Sequence, residues 1–176
     1  MSAPILRWER ITKRRDAISL QMFSCTTPLP RSPVGRRLPH PKPWEYEVQS
    51  HFRESSKRLK EGDLLLVGRD VPENGIVAAV HLIFDCSEPE LVAAHIAAIG
   101  VCQTVRGRGG VVADGALREA RGCIAECAVS LGRAVAVATA SIHRHNRPSE
   151  LLFERAGFEP MSVPVGDYQQ WVCRIL

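Results

Sequence analysis

The chain has 176 residues, of which 45% are hydrophobic and 24% charged. This balance is typical of one globular domain with a single core, and it excludes a disordered chain, collagen or a coiled coil as the main architecture. The net charge of +4 is unevenly spread, because residues 1–60 carry 13 Lys and Arg against 5 Asp and Glu. The basic first third either favours an acidic partner, with nucleic acid kept open, or is an ordinary solvated surface.

The first half of the chain predicts a strand, two helices and a hairpin. Six prolines between Pro28 and Pro43 exclude a helix or central strand there, so this segment, which also carries several arginines, is predicted to be a loop within a single domain over 1–176. The predicted elements are a strand over 5–11, a short helix over 15–23, an amphipathic helix over 44–59, and hairpin strands over 63–69 and 76–84 around Asn74-Gly75.

The second half alternates strands and helices around a glycine-rich loop. The predicted elements are a strand over 91–101, a helix over 111–131, a strand over 134–140, a helix over 148–156, and short strands over 158–163 and 171–175. The order of elements predicts a mixed α/β (α+β) fold.

Several features bear on location and metal binding. The apolar run from Val92 to Cys102 is far shorter than the roughly 20 residues that span a bilayer, so no membrane contact is expected. The N-terminus lacks the apolar stretch of a secretory signal, which makes a cytoplasmic protein the expectation. Six cysteines without a Cys-x-x-Cys pair favour reduced thiols. Cys123 and Cys127 lie one helical turn apart but lack a second ligand pair, so no metal site is predicted.

The loop before the long predicted helix is the first segment that indicates chemistry. Arg106-Gly107-Arg108-Gly109-Gly110 follows a buried strand, and the helix begins at Val111. Glycines let the backbone approach a ligand closely, and the free amides of a helix N-terminus attract anions. Two arginines add positive charge, so the loop predicts a pyrophosphate site over 106–111, with a glycine-rich turn that binds no ligand as the alternative. Its spacing matches neither the nucleoside-triphosphatase loop nor the dinucleotide fingerprint.

A second segment allows a family to be named. Residues Asn146-Arg-Pro-Ser-Glu-Leu-Leu-Phe-Glu-Arg-Ala-Gly-Phe158 resemble a motif of the GNAT superfamily of N-acetyltransferases. That motif is an Asn, a small residue three positions later, and then Leu-Tyr-Glu-Lys-x-Gly-Phe. The 106–110 loop resembles the acetyl-CoA pyrophosphate loop of the same family. The resemblance implies a mixed, mostly antiparallel sheet with a V-shaped splay between two central parallel strands, and helices on both faces.

The resemblance also implies acetyl-CoA as co-substrate, no metal, and direct transfer of the acetyl group to an amine. It places free backbone groups of the third long strand against the pantetheine arm and the loop against the pyrophosphate. The expected cofactor-binding residues are Ile99, Val101, Arg106, Gly107, Arg108, Gly109, Gly110, Val111, Asn146 and Phe153. The family's loop pattern can be aligned to this sequence in two registers, starting at Arg106 or at Thr104, and both stay open. The second register leaves Val112, Ala116, Ala120 and Ile124 on one helix face.

The catalytic residues are less well determined. The family's tyrosine, which often protonates the leaving thiolate, falls on Phe153, and phenylalanine cannot donate a proton. His95 is a candidate general base, with a structural, hydrogen-bonded histidine as the alternative. Ser149 is a candidate near the thiol end of the cofactor.

The leading hypothesis is therefore an acetyl-CoA-dependent N-acetyltransferase for an amine of unknown class. The alternatives are a non-catalytic acyl-CoA- or RNA-binding regulatory module, or a toxin that acetylates aminoacyl-tRNA, against which Phe153 argues because that branch typically uses the tyrosine. A homodimer stays open.

Overall fold

A computed structural model describes residues 5–107, 110–161 and 163–176 of the chain. The strands are β1 (Leu6–Ile11), β2 (Asp63–Asp70), β3 (Ile76–Asp85), β4 (Leu91–Val101), β5 (Val135–His143), β6 (Glu159–Pro160) and β7 (Tyr168–Arg174). The α-helices are α1 (Pro43–Arg53), α2 (Ser55–Arg58), α3 (Val111–Ser130) and α4 (Arg147–Arg155), and 3₁₀ helices span Arg14–Met22 and Gln103–Val105.

The strands form one sheet in the order β1-β2-β3-β4-β5-β7-β6. The pairing of β4 with β5 is parallel, and the other strand pairs of the sheet are antiparallel. One core cluster packs α3 and α4 on the first face of the sheet. A second cluster packs the longer 3₁₀ helix and α1 on the opposite face. The predicted mixed, mostly antiparallel sheet with helices on both faces is confirmed.

The two parallel strands separate part-way along their length. Their pairing begins at Leu91↔Val135 and ends at Ile96↔Ala140, although β4 continues to Val101. Beyond this point β4 stays paired with β3, and β5 stays paired with β7. The sheet therefore has the predicted V-shaped opening between β4 and β5.

A β-bulge lies where the opening begins. Leu82 of β3 pairs with Ile96 and the preceding residue, His81, pairs with Ala98, so Ala97 is an extra residue on β4. Because the bulge offsets the side-chain alternation by one, Ile96 belongs to the α3 cluster while Ala98 belongs to the α1 cluster. Ile99, next along the strand, packs against the α3 cluster.

The main differences from the predicted elements have local causes. The helix predicted over 44–59 is broken at Glu54, where the hydroxyl of Ser55 donates to the carbonyl of His51 at 3.0 Å and competes with the helical amide bond. The segment predicted as a helix over 15–23 is a 3₁₀ helix. Of the strand predicted over 158–163, the described residues form only Glu159–Pro160, and Ser162 lies outside the described residues.

A close approach at Gly100 gives a test of this packing. A Cβ on Gly100 would lie 3.1–3.2 Å from the rings of Phe23 and Phe52 and the sulfur of Cys25. Gly100→Val should therefore lower the free energy of unfolding by about 1–3 kcal/mol, as overpacking does. The control Gly122→Ala lies in the middle of α3 with open space around it, and should raise stability by about 0.5–1 kcal/mol. Urea unfolding measures both, and an unchanged midpoint for Gly100→Val would contradict the packing.

Candidate functional site

Two cavities adjoin at the opening between β4 and β5. The first, of about 400 Å³, is bounded by the start of α3, by α4 and by the segment leading into α1. The second, of about 460 Å³, lies between α1, β4 and β5. The residues that line both cavities are Trp44, Val48, Ile99, Asn146 and Ser149. A ligand threaded through the opening would therefore reach from one cavity into the other.

The edge of β4 supplies backbone groups to the opening. The amide of Cys102 donates to the carbonyl of Val77 on β3 at 2.8 Å, so Cys102 faces β3. Because backbone groups alternate along a strand, those of Ile99 and Val101 face the opening. The Val101 carbonyl accepts from Nε of Arg106 at 3.1 Å. Ile99 is thus the residue whose amide and carbonyl point into the opening beyond the last β4–β5 pair.

The N-terminus of α3 closes the first cavity. Gly110 caps the helix in the left-handed conformation at φ 78°, and the amide of Asp114 makes the first helical bond, to the carbonyl of Gly110 at 2.8 Å. The amides of residues 111–113 therefore point out of the helix end, where the helix dipole favours an anion. A Cβ on Gly110 would lie 3.2 Å from Nη2 of Arg155, which places that guanidinium beside the helix end.

The structure places part of the predicted pyrophosphate loop at this cavity. Gly107 and Gly110 line it, and Val111 is the first helical residue, 51% exposed. Arg108 and Gly109 lie outside the described residues. The four residues that one register placed on a single helix face, Val112, Ala116, Ala120 and Ile124, are all buried.

Arg106 is bound to protein groups. In addition to Val101, its guanidinium donates to Oε1 of Glu45 at 3.0 Å and to the carbonyl of Cys25 at 2.5 Å. Burial would raise the pKa of Glu45, but the hydrogen bond from Thr26 and the charge of Arg106 outweigh it and lower that pKa. Arg106 thus joins the end of β4 to α1 while lining the first cavity.

The α4 residues of the family motif lie at the junction of the two cavities. Oδ1 of Asn146 caps α4 by accepting from the amide of Ser149 at 3.4 Å. Ser149 is half-buried and lines both cavities. Phe153 is 2% exposed, packs edge-on against Phe158 with ring centroids 4.8 Å apart, and contributes to the wall of the second cavity.

One face of α1 forms the opposite wall of the second cavity. Trp44, Glu47, Val48 and His51 line it at helical spacing. The ring of Trp44 lies 4.5 Å from that of His143. The sequence predicts an amphipathic helix here, but that prediction did not identify this face as the wall of a site.

A tyrosine on β7 brings a hydroxyl into the same cavity. Tyr168 lines the cavity, and its hydroxyl donates to the carboxylate of Glu47. Burial, followed by this carboxylate, raises the pKa of Tyr168. The phenol therefore keeps its proton at neutral pH. Neither Glu47 nor Tyr168 was among the residues predicted from the sequence.

A histidine pair continues from this wall into the sheet. Nε2 of His51 lies 2.7 Å from Nδ1 of His81, and Nε2 of His81 lies 3.3 Å from Oδ2 of Asp63. His81 and Asp63 are buried. Burial, followed by the neighbouring His81, lowers the pKa of His51 to about 4. Sequence reasoning missed this chain because its members lie on three separate elements.

His95 lies apart from the cavities. Its Nδ1 is 3.0 Å from Oγ1 of Thr139, and burial lowers its pKa. Of the described residues, those lining the two cavities do not include His95. Its predicted role as a general base stays a prediction.

Solved structures share this architecture. Nourseothricin acetyltransferase matches with a TM-score of 0.59 and 13% identity, over 97% of this chain and 99% of that one. A point mutant of the AtaT toxin, bound to the C-terminus of the antitoxin AtaR and acetyl-CoA, matches with a TM-score of 0.59 and 12% identity, over 97% and 93%. A GNAT-family acetyltransferase from Streptococcus pneumoniae matches with a TM-score of 0.57 and 14% identity, over 98% and 100%.

This chain has the GNAT fold. No protein-family model and no curated protein matches its sequence. The structural matches confirm, at the level of the fold, the GNAT resemblance inferred from the two motifs. Among the described residues, no helix is long and apolar enough to cross a membrane. Within the same residues, no group of three or more His, Cys, Asp or Glu is placed to hold a metal ion.

The lowered pKa of His51 predicts sensitivity to acid. The pKa of His51 falls from 6.5 in the unfolded chain to about 4 in the folded protein. Between pH 6.5 and pH 4 the unfolded chain therefore binds one more proton at His51 than the folded protein does. The stability contributed by neutral His51 is present above pH 6.5 and is lost as the pH falls towards 4. The charged and titratable groups acting on this imidazole are His81, Arg58, Asp63 and Glu54.

His51→Gln should therefore reduce the loss of unfolding free energy between about pH 7 and pH 5, measured by urea unfolding at each pH. An equal loss in variant and wild type would show that His51 does not titrate in this way.

Proposed function

We propose that the protein is an acetyl-CoA-dependent N-acetyltransferase that moves an acetyl group directly to an amine. The observation that carries the proposal is the opening between β4 and β5. It presents the backbone of Ile99 between a cavity that ends at a helix N-terminus and a second cavity walled by titratable side chains.

The first cavity fits acetyl-CoA. The amides of residues 111–113, Gly107, Gly110 and the guanidinium of Arg155 would hold the pyrophosphate, because phosphate oxygens suit a helix N-terminus and a nearby arginine. Arg108 and Gly109 belong to the same proposed loop. The backbone of Ile99 would pair with the pantetheine amides, with Asn146 beside the arm. When bound, acetyl-CoA supplies a thioester whose acetyl carbon an amine can attack.

Side chains of the second cavity then act on the acceptor. Trp44, Val48 and Phe153 provide apolar surface that excludes water from the reacting groups. Tyr168 is the proposed proton donor to the thiolate, supplying the hydroxyl that Phe153 lacks, with Ser149 as the sequence-based candidate for the same step. Holding the amine and the thioester together in this junction supplies much of the rate.

The absence of a hydroxyl at Phe153 favours a second candidate, an acyl-CoA-binding module without turnover. Thiol release separates the two candidates, because only an acetyltransferase liberates CoA from acetyl-CoA in the presence of an amine. We favour the enzyme because Tyr168 and His51 bring proton-transfer groups to the cavity.

A charge placed at the helix end tests the cofactor site. Val111→Glu sets a carboxylate beside the amides of residues 111–113, at an exposed position where a helix tolerates an acid. Repulsion of the pyrophosphate should weaken CoA binding by roughly tenfold or more, as measured by calorimetry. The control Val129→Glu adds the same charge at an exposed position near the other end of α3 and should leave affinity unchanged. Equal affinities for both variants would place the pyrophosphate elsewhere.

A panel of amines tests turnover and the role of Tyr168. Spermidine, lysine methyl ester, tyramine, kanamycin and a peptide with a free N-terminus are each mixed with acetyl-CoA, and thiol release is measured. We expect release with at least one amine. Tyr168→Phe should lower kcat by about 10²–10⁴-fold with CoA affinity retained, because the cavity loses its proton donor. No release with any amine, while CoA binds, would support the binding module instead.

A further inference from the structure

We propose that His51 takes the proton from the attacking amine, and that His81 and Asp63 are positioning residues that fix its tautomer. The assignment rests on the proposed acetyl transfer and adds a catalytic base to it.

The fold brings the three side chains together through the pairing of β2 with β3 and the packing of α1 on the sheet. His81 of β3 pairs with Leu65 of β2, so Asp63, two residues earlier on β2, lies diagonally opposite on the same face of the sheet. That face packs against α1, and His51 lies in the last turn of α1 above His81. The contacts of 3.3 Å and 2.7 Å therefore join a buried carboxylate to a residue of the second cavity.

The order of donors and acceptors from Asp63 through His81 to His51 sets the tautomer of each imidazole. Among the described residues Nε2 of His81 makes no hydrogen bond, but the ionised carboxylate of Asp63, whose Oδ2 lies 3.3 Å away, can only accept and favours a proton on that nitrogen. Nδ1 of His81 then accepts, and Nε2 of His51 must be its donor across the 2.7 Å contact. This leaves Nδ1 of His51 unprotonated. Nδ1 is therefore the ring nitrogen of His51 that is left as an acceptor.

The position of His51 favours it over the other bases nearby. It lines the second cavity, which Ala97, Ala98 and Ile99 of β4 also line and into which we expect the acetyl group to emerge. Glu47 lines the same cavity, and its carboxylate accepts and orients the hydroxyl of Tyr168. His81 contacts His51 and Asp63 from inside the sheet and is not among the residues lining the described cavities.

The proposed step is balanced in atoms and electrons. The lone pair of the amine nitrogen forms the bond to the acetyl carbon, and the carbon–sulfur bond breaks with its electron pair on sulfur. The proton of the amine moves to Nδ1 of His51. The sulfur takes a proton from Tyr168 or water, and His51 returns its proton through solvent to that donor. The products are the amide and the CoA thiol.

Kinetics of three variants test the assignment, with the amine of the panel that gives the fastest thiol release. His51→Gln should lower kcat by about 10²–10⁴-fold while acetyl-CoA affinity and the far-ultraviolet spectrum stay as in wild type. Asp63→Asn should lower kcat by about tenfold or more, because the imidazole stays in place but its tautomer is no longer fixed. His95→Gln tests the general base predicted from the sequence, and we expect it to lower kcat less than His51→Gln does. Loss in His95→Gln with activity retained in His51→Gln would overturn the assignment.

Chemical rescue separates a base from a structural histidine. Imidazole and methylimidazole, added to His51→Ala, should restore part of the rate, and the more basic compound should restore more. The role of His51 as a base would be overturned if neither compound restored the rate, or if the restored rate did not depend on the basicity of the compound.

Nitrogen-15 NMR of histidine side chains shows which ring nitrogen carries the proton, and it needs neither acetyl-CoA nor an amine. At neutral pH both His51 and His81 should carry their proton on Nε2, and Asp63→Asn should mix the tautomers of His81. A proton on Nδ1 of His51 would overturn the proposal. Absence of turnover in wild type with every amine would instead overturn the proposed function, and the catalytic assignment with it, whatever the tautomers.

Discussion

The site depends on the early end of hydrogen bonding between β4 and β5. Two parallel strands that stayed paired to their ends would satisfy the backbone of Ile99 within the sheet. The extra residue Ala97 instead offsets the alternation of β4, so Ile99 turns towards α3 while Gly100 faces the aromatic cluster under α1. Buried backbone groups need partners, and those at the opening are available to a ligand with amides of its own.

Two polar networks hold the walls of the opening in place. On one side, Arg106 joins the end of β4 to Glu45 and to the carbonyl of Cys25. On the other, His51 continues through His81 into the sheet. The first network connects α1 to β4, and the second connects α1 to β3 and β2. The same helix presents Trp44 and Glu47 to the second cavity.

The sequence predicted the element order, the sheet class and the helix end of the cofactor site, because these features are local. Periodicity identified the strands, and the glycines before Val111 indicated a turn into a helix. The chain from His51 to Asp63 could not be found in this way, because its members meet only through strand register and helix packing. Arg106 was expected at the phosphate from its place in the loop, whereas its contacts to Glu45 depend on the position of α1.

We propose that the edge of β4 at the opening and the end of α3 bind CoA together. Amide hydrogen exchange, resolved by residue with and without CoA, measures this at both places at once. We expect the amides of Ile99 and residues 111–113 to exchange markedly more slowly once CoA is added, while those of β1, on the far edge of the sheet, do not change. Unchanged exchange at Ile99 under saturating CoA would show that CoA does not pair with β4.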